Sequence, residues 1–176
     1  MSEPSIRDAS EADLVAIQAI YSHHVRHGTA SFELDPPDLD EMRRRFAAIR
    51  VLGLPYLIAG SDGRVLGYAY AGPYRPRPAY RFSVEDSIYV QPDLVGRGIG
   101  RGLLRRLILE AERCGARQMV AVIGDSAQLP SIRLHESCGF SHVGVLRNIG
   151  WKFGRWLDSV LMQRAIGAGS STPAEP

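Results

Sequence analysis

Cysteine is scarce in this chain: 176 residues hold two, Cys114 and Cys138. Two thiols build no disulfide framework, which excludes a small secreted fold stapled by bridges. Each stands beside a glycine at the end of an expected helix, as suits buried free thiols in a reducing cytoplasm. Long apolar runs are missing too, and no charged-then-apolar leader opens the chain, so neither a membrane partner nor export is expected. Excess charge of either sign is small: 21 Lys and Arg against 19 Asp and Glu leave a net +2. That balance gives no reason to expect a nucleic-acid partner. Internal repeats and dividing linkers are also lacking. What remains is ordinary globular composition, 45% hydrophobic and 23% charged, with length enough for one well-buried core. We expect a single domain over residues 1–166 and a disordered tail over 167–176, where AGSSTPAEP is small, polar and proline-containing.

Short periodic segments follow one another. Ser10 and Asp13 have capping-box spacing before Leu14, Ile17, Ile20, Tyr21 and Val25, an amphipathic helix ending at Gly28. His23, His24 and His27 lie at its end. No cysteine or acid has matching metal-ligand spacing, and histidines there favour the helix dipole. Pro36 and Pro37 are expected to start a second helix with Leu39, Met42, Phe46 and Ile49 buried. The arginines Arg43 to Arg45 on it read as a solvated face. Strands at 56–59 and 65–71 flank Ser61-Asp62-Gly63-Arg64, a hairpin. The proline-rich run GPYRPRPAYRF, 72–82, reads as a loop rich in Tyr and Arg. Val84 to Leu104 opens as a strand, turns through Gly96, Gly98, Gly100 and Gly102, and becomes an apolar, basic helix stopped at Gly115. A short apolar run at 119–123 suggests a buried parallel strand. A helix over 130–138 follows, then strands at 140–146 and 156–163 joined by a turn-rich loop, NIGWKFGR. The order is β, α, α, β-hairpin, β, α, β, α, β, β, a mixed α/β domain.

A strand feeding a glycine turn that opens a helix is a phosphate-binding arrangement. Backbone without Cβ atoms approaches closely, and the free N–H groups of the first helical turn point at the anion. It is not a P-loop, because no Gly-Lys-Ser/Thr follows. It is not G-x-G-x-x-G either: from Gly96 the last position is Arg101, from Gly98 it is Leu103. Element order and turn instead resemble the GNAT superfamily of acetyl-CoA-dependent N-acetyltransferases. The pyrophosphate motif of that family, Gln/Arg-x-x-Gly-x-Gly/Ala, falls on Val95 to Gly100, with valine at its first position. The runs TASFE, YAYAGPYR, AYRFSVEDSIYV, SIRLHESCGF and GWKFGRWLDSVLMQ more specifically resemble the phosphinothricin and methionine-sulfoximine acetyltransferase subfamily.

The resemblance implies a GNAT-type α/β fold, a largely antiparallel central sheet of six to seven strands flanked by helices. It implies acetyl-CoA as co-substrate, no metal, a small amino-acid-like amine as acceptor and a homodimer. Acetyl transfer must deprotonate an ammonium, stabilise an oxyanion and reprotonate a thiolate. The resemblance puts the base at Glu85, in preference to Asp86, which alternation sends to the other face of the strand. It puts cofactor contacts at Ile88, Tyr89 and Val90, where a splayed strand frees backbone N–H groups, and at Gly96, Arg97, Gly98, Ile99, Gly100 and Arg101. An asparagine often found in the loop 124–129 is absent, and Gln128 or Ser131 could take its place. His135 stands where many relatives carry a tyrosine acid; as a lone helical histidine it could equally be a packing residue. Phe32, Tyr74, Arg75, Arg77, Tyr80 and Lys152 are the expected acceptor wall, with Arg75 first choice for an α-carboxylate. Lys152 and Trp151 would close the site from the loop between the last two strands, with a partner subunit as one source. Other acceptors, such as a peptide N-terminus or polyamine, and a non-catalytic acyl-CoA sensor remain open on the residues alone.

Overall fold

The first helix starts where its capping pattern sits. Ser10 donates to Asp13 Oδ2 from its backbone N–H at 2.8 Å and its hydroxyl at 2.9 Å, and Arg7 forks onto both Asp13 oxygens. One 3-10 turn, Glu11–Asp13, leads into α1 (Leu14–His27), whose buried stripe includes Leu14, Ile17, Ile20, Tyr21 and Val25. The second helix, α2 (Leu39–Val51), begins later than its prolines suggest. Asp38 is the N-cap, accepting from the Glu41 N–H at 2.7 Å, and Pro36 and Pro37 precede it. The side-chain cap, rather than proline's fixed φ, sets this start.

The computed structural model describes residues 4–174. One seven-stranded sheet runs through it in the order β1-β2-β3-β4-β5-β7-β6. Its strands are β1 (Ser5–Asp8), β2 (Tyr56–Ser61), β3 (Arg64–Pro73), β4 (Ser83–Val90), β5 (Gln118–Gly124), β6 (Ser141–Lys152) and β7 (Arg155–Ala165). Two further helices are α3 (Ile99–Arg113) and α4 (Leu129–Ser137). Alternation along the strands builds two cores. Tyr56, Ile58 and Tyr68 pack with α1 and α2, while Leu57, Ala59, Leu66 and Ala69 pack with the stripe of α3, Leu103, Leu104 and Leu107. Residues one apart thus serve opposite faces, which is why these strands read as nearly continuous apolar runs.

β4 is the pivot. It pairs with β3 antiparallel along its length, from Gly67↔Val90 to Pro73↔Val84. Its parallel pairing with β5 covers only Ser83–Asp86 against Gln118–Ala121. Both strands continue past that point without each other, so a gap opens beyond Asp86.

Three regions depart from expectation. NIGWKFGR is not a loop: β6 runs through it to Lys152, and Phe153 and Gly154, both at positive φ, make a two-residue turn into β7. The turn-like residues are absorbed by a bulge between Leu146 and Gly150, where Asn148 takes φ 53° and donates its N–H to Asp158 Oδ1. Cys138 is buried but Cys114 is exposed, because it lies past the end of the buried stripe of α3 at Ala111. Residues 167–174, expected to be disordered, turn back onto Arg117, whose guanidinium donates to the carbonyls of Gly169 and Thr172. The remaining tail residues, 175 and 176, lie outside the described ones.

Candidate active site

β4 leaves the sheet through a 3-10 turn, Pro92–Leu94, and enters α3 by way of Gly96 and Gly98, both at φ 83°. A Cβ at either glycine would meet nothing within 4 Å, so the requirement is for left-handed backbone and not for room. Gly98 caps α3 without a side chain, and the first helical bond runs from the Gly102 N–H to its carbonyl. The N–H groups of Ile99, Gly100 and Arg101 therefore lack intrahelical acceptors and form a cradle for an anion. Arg97 is exposed beside it; Arg101 leans toward α4, its Nε donating to Ser137 Oγ.

A cavity of about 290 Å³ occupies the gap between β4 and β5. Tyr21, Ala30, Ser31, Phe32, Tyr70 and Glu85 line it from the α1/α2 side, and Asp86, Ile88, Gly124, Gln128, Ser131 and His135 line the remainder. Along the open edge of β4 the backbone alternates. Gln91 donates to Leu66 O, so its ladder mates 89 and 87 also face β3. The amides of Ile88 and Val90 face the gap instead, and the amide of Tyr89 does not. The Val90 carbonyl meets His24 Nε2 at 2.8 Å, which gives one of the three clustered histidines a structural contact. Among the described residues no group of three or more His, Cys, Asp or Glu is placed to hold a metal.

Glu85 is half-buried in this cavity. Burial pushes its carboxyl above the ordinary range, the charge of Asp86 adds to the effect, and Arg75 opposes it. Asp86 points to the other face, as alternation requires, yet the gap lets both faces open into one cavity. His135 Nε2 lies 3.0 Å from Asp86 Oδ2, and His135 Nδ1 lies 2.7 Å from Ser131 O. A carbonyl only accepts, so Nδ1 carries a proton and neither ring nitrogen is left for a third partner. The Phe140 ring stands edge-on to the imidazole. Burial alone would lower the His135 pKa; the bond to Asp86, its charge and the Ser131 carbonyl outweigh burial and raise it. Asp86 Oδ1 is buried with no hydrogen-bond partner. Alternation correctly predicts the face of Asp86; it carries no signal for an imidazole 49 residues away.

The expected acceptor wall divides. Phe32 lines the cavity, while Tyr74, Arg75, Arg77 and Tyr80 lie on the loop beside it. There the Tyr74 and Tyr80 rings meet edge-to-face at 5.7 Å, and the Arg75 guanidinium sits over Tyr74. Arg75 is close enough to Glu85 to act on its charge. Lys152, the only lysine in the chain, ends β6 and is 3% exposed. Its ammonium donates to Gly28 O at 2.9 Å and Ser31 O at 2.7 Å, so it straps the loop carrying Phe32. Gln128 serves the same loop, donating to Thr29 Oγ1, which in turn donates to Asp125 Oδ2. Ser131 lines the cavity and supplies the carbonyl for His135.

A split parallel pair, a glycine cradle at the helix that follows, and a half-buried carboxylate in the gap define a transferase of the acyl-CoA-dependent class. The chain belongs to the acetyltransferase (GNAT) family, whose family model matches residues 17–140. It is 55% identical over 171 residues to a phosphinothricin N-acetyltransferase of Alcaligenes faecalis, covering 97% of this chain and 87% of that one. It is 45% identical over 159 residues to an L-methionine sulfoximine/L-methionine sulfone acetyltransferase of Salmonella typhimurium, covering 90% and 92%. A crystal structure of a phosphinothricin acetyltransferase from Sinorhizobium meliloti, in complex with AcCoA, superposes with a TM-score of 0.95 at 46% identity, covering 98% of this chain and 93% of that one.

Proposed function

We propose that this protein transfers the acetyl group of acetyl-CoA to the α-amino group of small amino-acid analogues of the phosphinothricin, methionine sulfoximine or methionine sulfone type, directly within a ternary complex. The observation that carries this reading is the single cavity in the β4–β5 gap. It has a carboxylate of raised pKa and the open β4 amides inside it, and the same strand leads to the glycine cradle. The names of the relatives support the acceptor class.

Acetyl-CoA supplies an activated acetyl thioester. The free N–H groups of Ile99, Gly100 and Arg101, with Arg97 nearby, suit its pyrophosphate, and the left-handed glycines leave the approach open. Glu85 accepts the proton of the acceptor ammonium, directly or through water, which frees the nitrogen lone pair to take the acetyl group; the C–S bond breaks as the C–N bond forms, and the second proton shed by the nitrogen goes to the departing thiolate. The inward amides of Ile88 and Val90 are donors for the carbonyl oxygen as it gains charge. His135 lines the cavity with both ring nitrogens engaged, by Asp86 and by the Ser131 carbonyl, so its part is to hold that carboxylate in place. Arg75 pairs with the acceptor carboxylate. Exposed apolar side chains along β6 and β7 support a homodimer, and two free cysteines suit a cytoplasmic setting.

Thiol release from acetyl-CoA, measured against phosphinothricin, methionine sulfoximine, methionine sulfone, a peptide and a polyamine, tests the reading. Turnover of the amino-acid analogues in preference to the others is expected. Preference for the peptide or polyamine would overturn the acceptor assignment, and cofactor binding without turnover of any amine would indicate a sensor.

A further inference from the structure

The loop joining α1 to α2 lies over the acceptor side of the cavity and is held from several directions. Lys152 grips its carbonyls at Gly28 and Ser31, Asp125 and Gln128 grip Thr29, and the Tyr21 hydroxyl is 2.9 Å from Ser31 Oγ. What this scaffold presents to the cavity is the ring of Phe32.

That ring sits in a slot between two glycines. A Cβ at Gly150 would lie 2.6 Å from Phe32 Cδ2 and 3.0 Å from Cζ; a Cβ at Gly124 would lie 2.8 Å from Cε1. The atoms concerned belong to opposite edges of the ring, and between them Phe32 lines the cavity. Gly150 does not have left-handed backbone, so glycine is needed there for room alone. The bulge ending at Gly150 and the two-residue strand period put Gly150 and Lys152 on one face of β6. One residue admits the ring and the other holds the loop that carries it.

We propose that Gly150 is a specificity-determining residue: by admitting the Phe32 ring to its slot, it fixes the wall that sets how long an acceptor side chain the site takes. The proposal deepens the amino-acid reading above and rests on it. An aromatic face suits the methylenes and terminal methyl of an unbranched side chain, so the favoured acceptors are α-amino acids with two or more side-chain methylenes. A methyl at position 150 would drive the ring out of the slot and into the space such a side chain occupies. Gly124 is a poorer probe, because a Cβ there would also collide with the Thr29 carbonyl and displace backbone.

The experiment compares kcat/KM for methionine sulfone, a long acceptor, with that for 2-aminobutyrate, a short one. It uses the full-length wild type, Gly150→Ala, Phe32→Ala and the double variant, with acetyl-CoA affinity measured by calorimetry. Gly150→Ala is expected to lower the long-to-short ratio by about tenfold or more, the scale of a one-methylene misfit in an apolar pocket. Acetyl-CoA affinity should stay near the wild-type value. The double variant should return the ratio to that of Phe32→Ala, because no ring is left to displace. A ratio unchanged in Gly150→Ala, an equal loss for both acceptors, or a double variant that keeps the altered ratio would overturn the proposal. If Gly150→Ala does not fold, Phe32→Ala decides alone: a shifted ratio supports the wall and an unshifted one overturns it. A wild type that acetylates neither acceptor overturns the amino-acid reading and this proposal together; one that acetylates both, with no shift in any variant, overturns only this one.

Discussion

Asp86 and His135 form one buried unit: Oδ2 and Nε2 are 3.0 Å apart, and each side chain is 2% exposed. With Nδ1 committed to the Ser131 carbonyl, the pair holds one further proton along the Oδ2–Nε2 line. The raised His135 pKa favours the ion pair. Because the folded pKa lies above the unfolded value, the stabilisation is fully present below about pH 6.5 and is lost as pH rises through the folded pKa. Replacing Asp86 with Ala strands the imidazole and should cost about 3–5 kcal/mol near pH 6. Asp86→Asn should cost less and should flatten the alkaline decline in Tm. Nitrogen NMR of the His135 ring gives the direct check: two protonated nitrogens near pH 6 in the wild type, and one in Asp86→Asn. A ring that is singly protonated in both proteins would refute the ion pair.

Glu85→Gln should lower kcat by roughly 10²- to 10⁴-fold, the usual span for losing a general base, while acetyl-CoA affinity changes little. A variant with full activity would remove Glu85 from that role. Since the base works only when deprotonated, wild-type kcat/KM should rise with pH through the elevated Glu85 pKa.

Arg75 opposes that elevation. Arg75→Ala should therefore move the acidic limb of the profile to higher pH. It should also raise KM for amino-acid acceptors and spare a des-carboxy amine. Equal loss on both amines would argue against a carboxylate contact.

Lys152→Met removes two charge-assisted hydrogen bonds and leaves the Gly28 and Ser31 carbonyls unpaired. A loss of about 2–3 kcal/mol is expected from chemical denaturation. Faster hydrogen exchange in residues 28–32 and a higher acceptor KM should accompany it, with acetyl-CoA affinity retained. Weakened cofactor binding with unchanged acceptor KM would mean the strap serves the other side of the site.

Val143, Val145, Leu146, Ile149, Trp151 and Trp156 are exposed on adjoining strands β6 and β7, and Phe153 is exposed in the turn between them. Exposed apolar side chains of this size suit the proposed subunit contact. Sedimentation should give a dimer for the wild type and a monomer for a Val145→Glu/Ile149→Glu variant. A wild-type monomer at assay concentration would remove the homodimer from the functional reading.

Much of this was legible in the sequence because its causes are local. The capping box at Ser10 and Asp13, the left-handed glycines before α3 and the stripe Leu103-Leu104-Leu107 each depend on neighbours within a few residues. The run of resemblance around Val84 to Gly100 carried the family. Reading failed where local pattern and distant packing disagree. NIGWKFGR has turn chemistry, yet cross-strand bonding to β7 draws it into the sheet as a bulge. Lys152 carries the charge of a substrate contact, yet two carbonyls 124 and 121 residues earlier take it. Asp86 follows strand alternation and so looked remote from the chemistry. Only the departure of β5 from β4 brings both faces of one strand into a common cavity. Most elements, their order and the glycine turn before α3 could be read from the residues alone, because these follow from side-chain spacing and backbone φ. The tertiary structure decided the Asp86–His135 pair, the Lys152 strap and the slot for Phe32, because contacts across dozens of residues are set by packing, which no local period encodes.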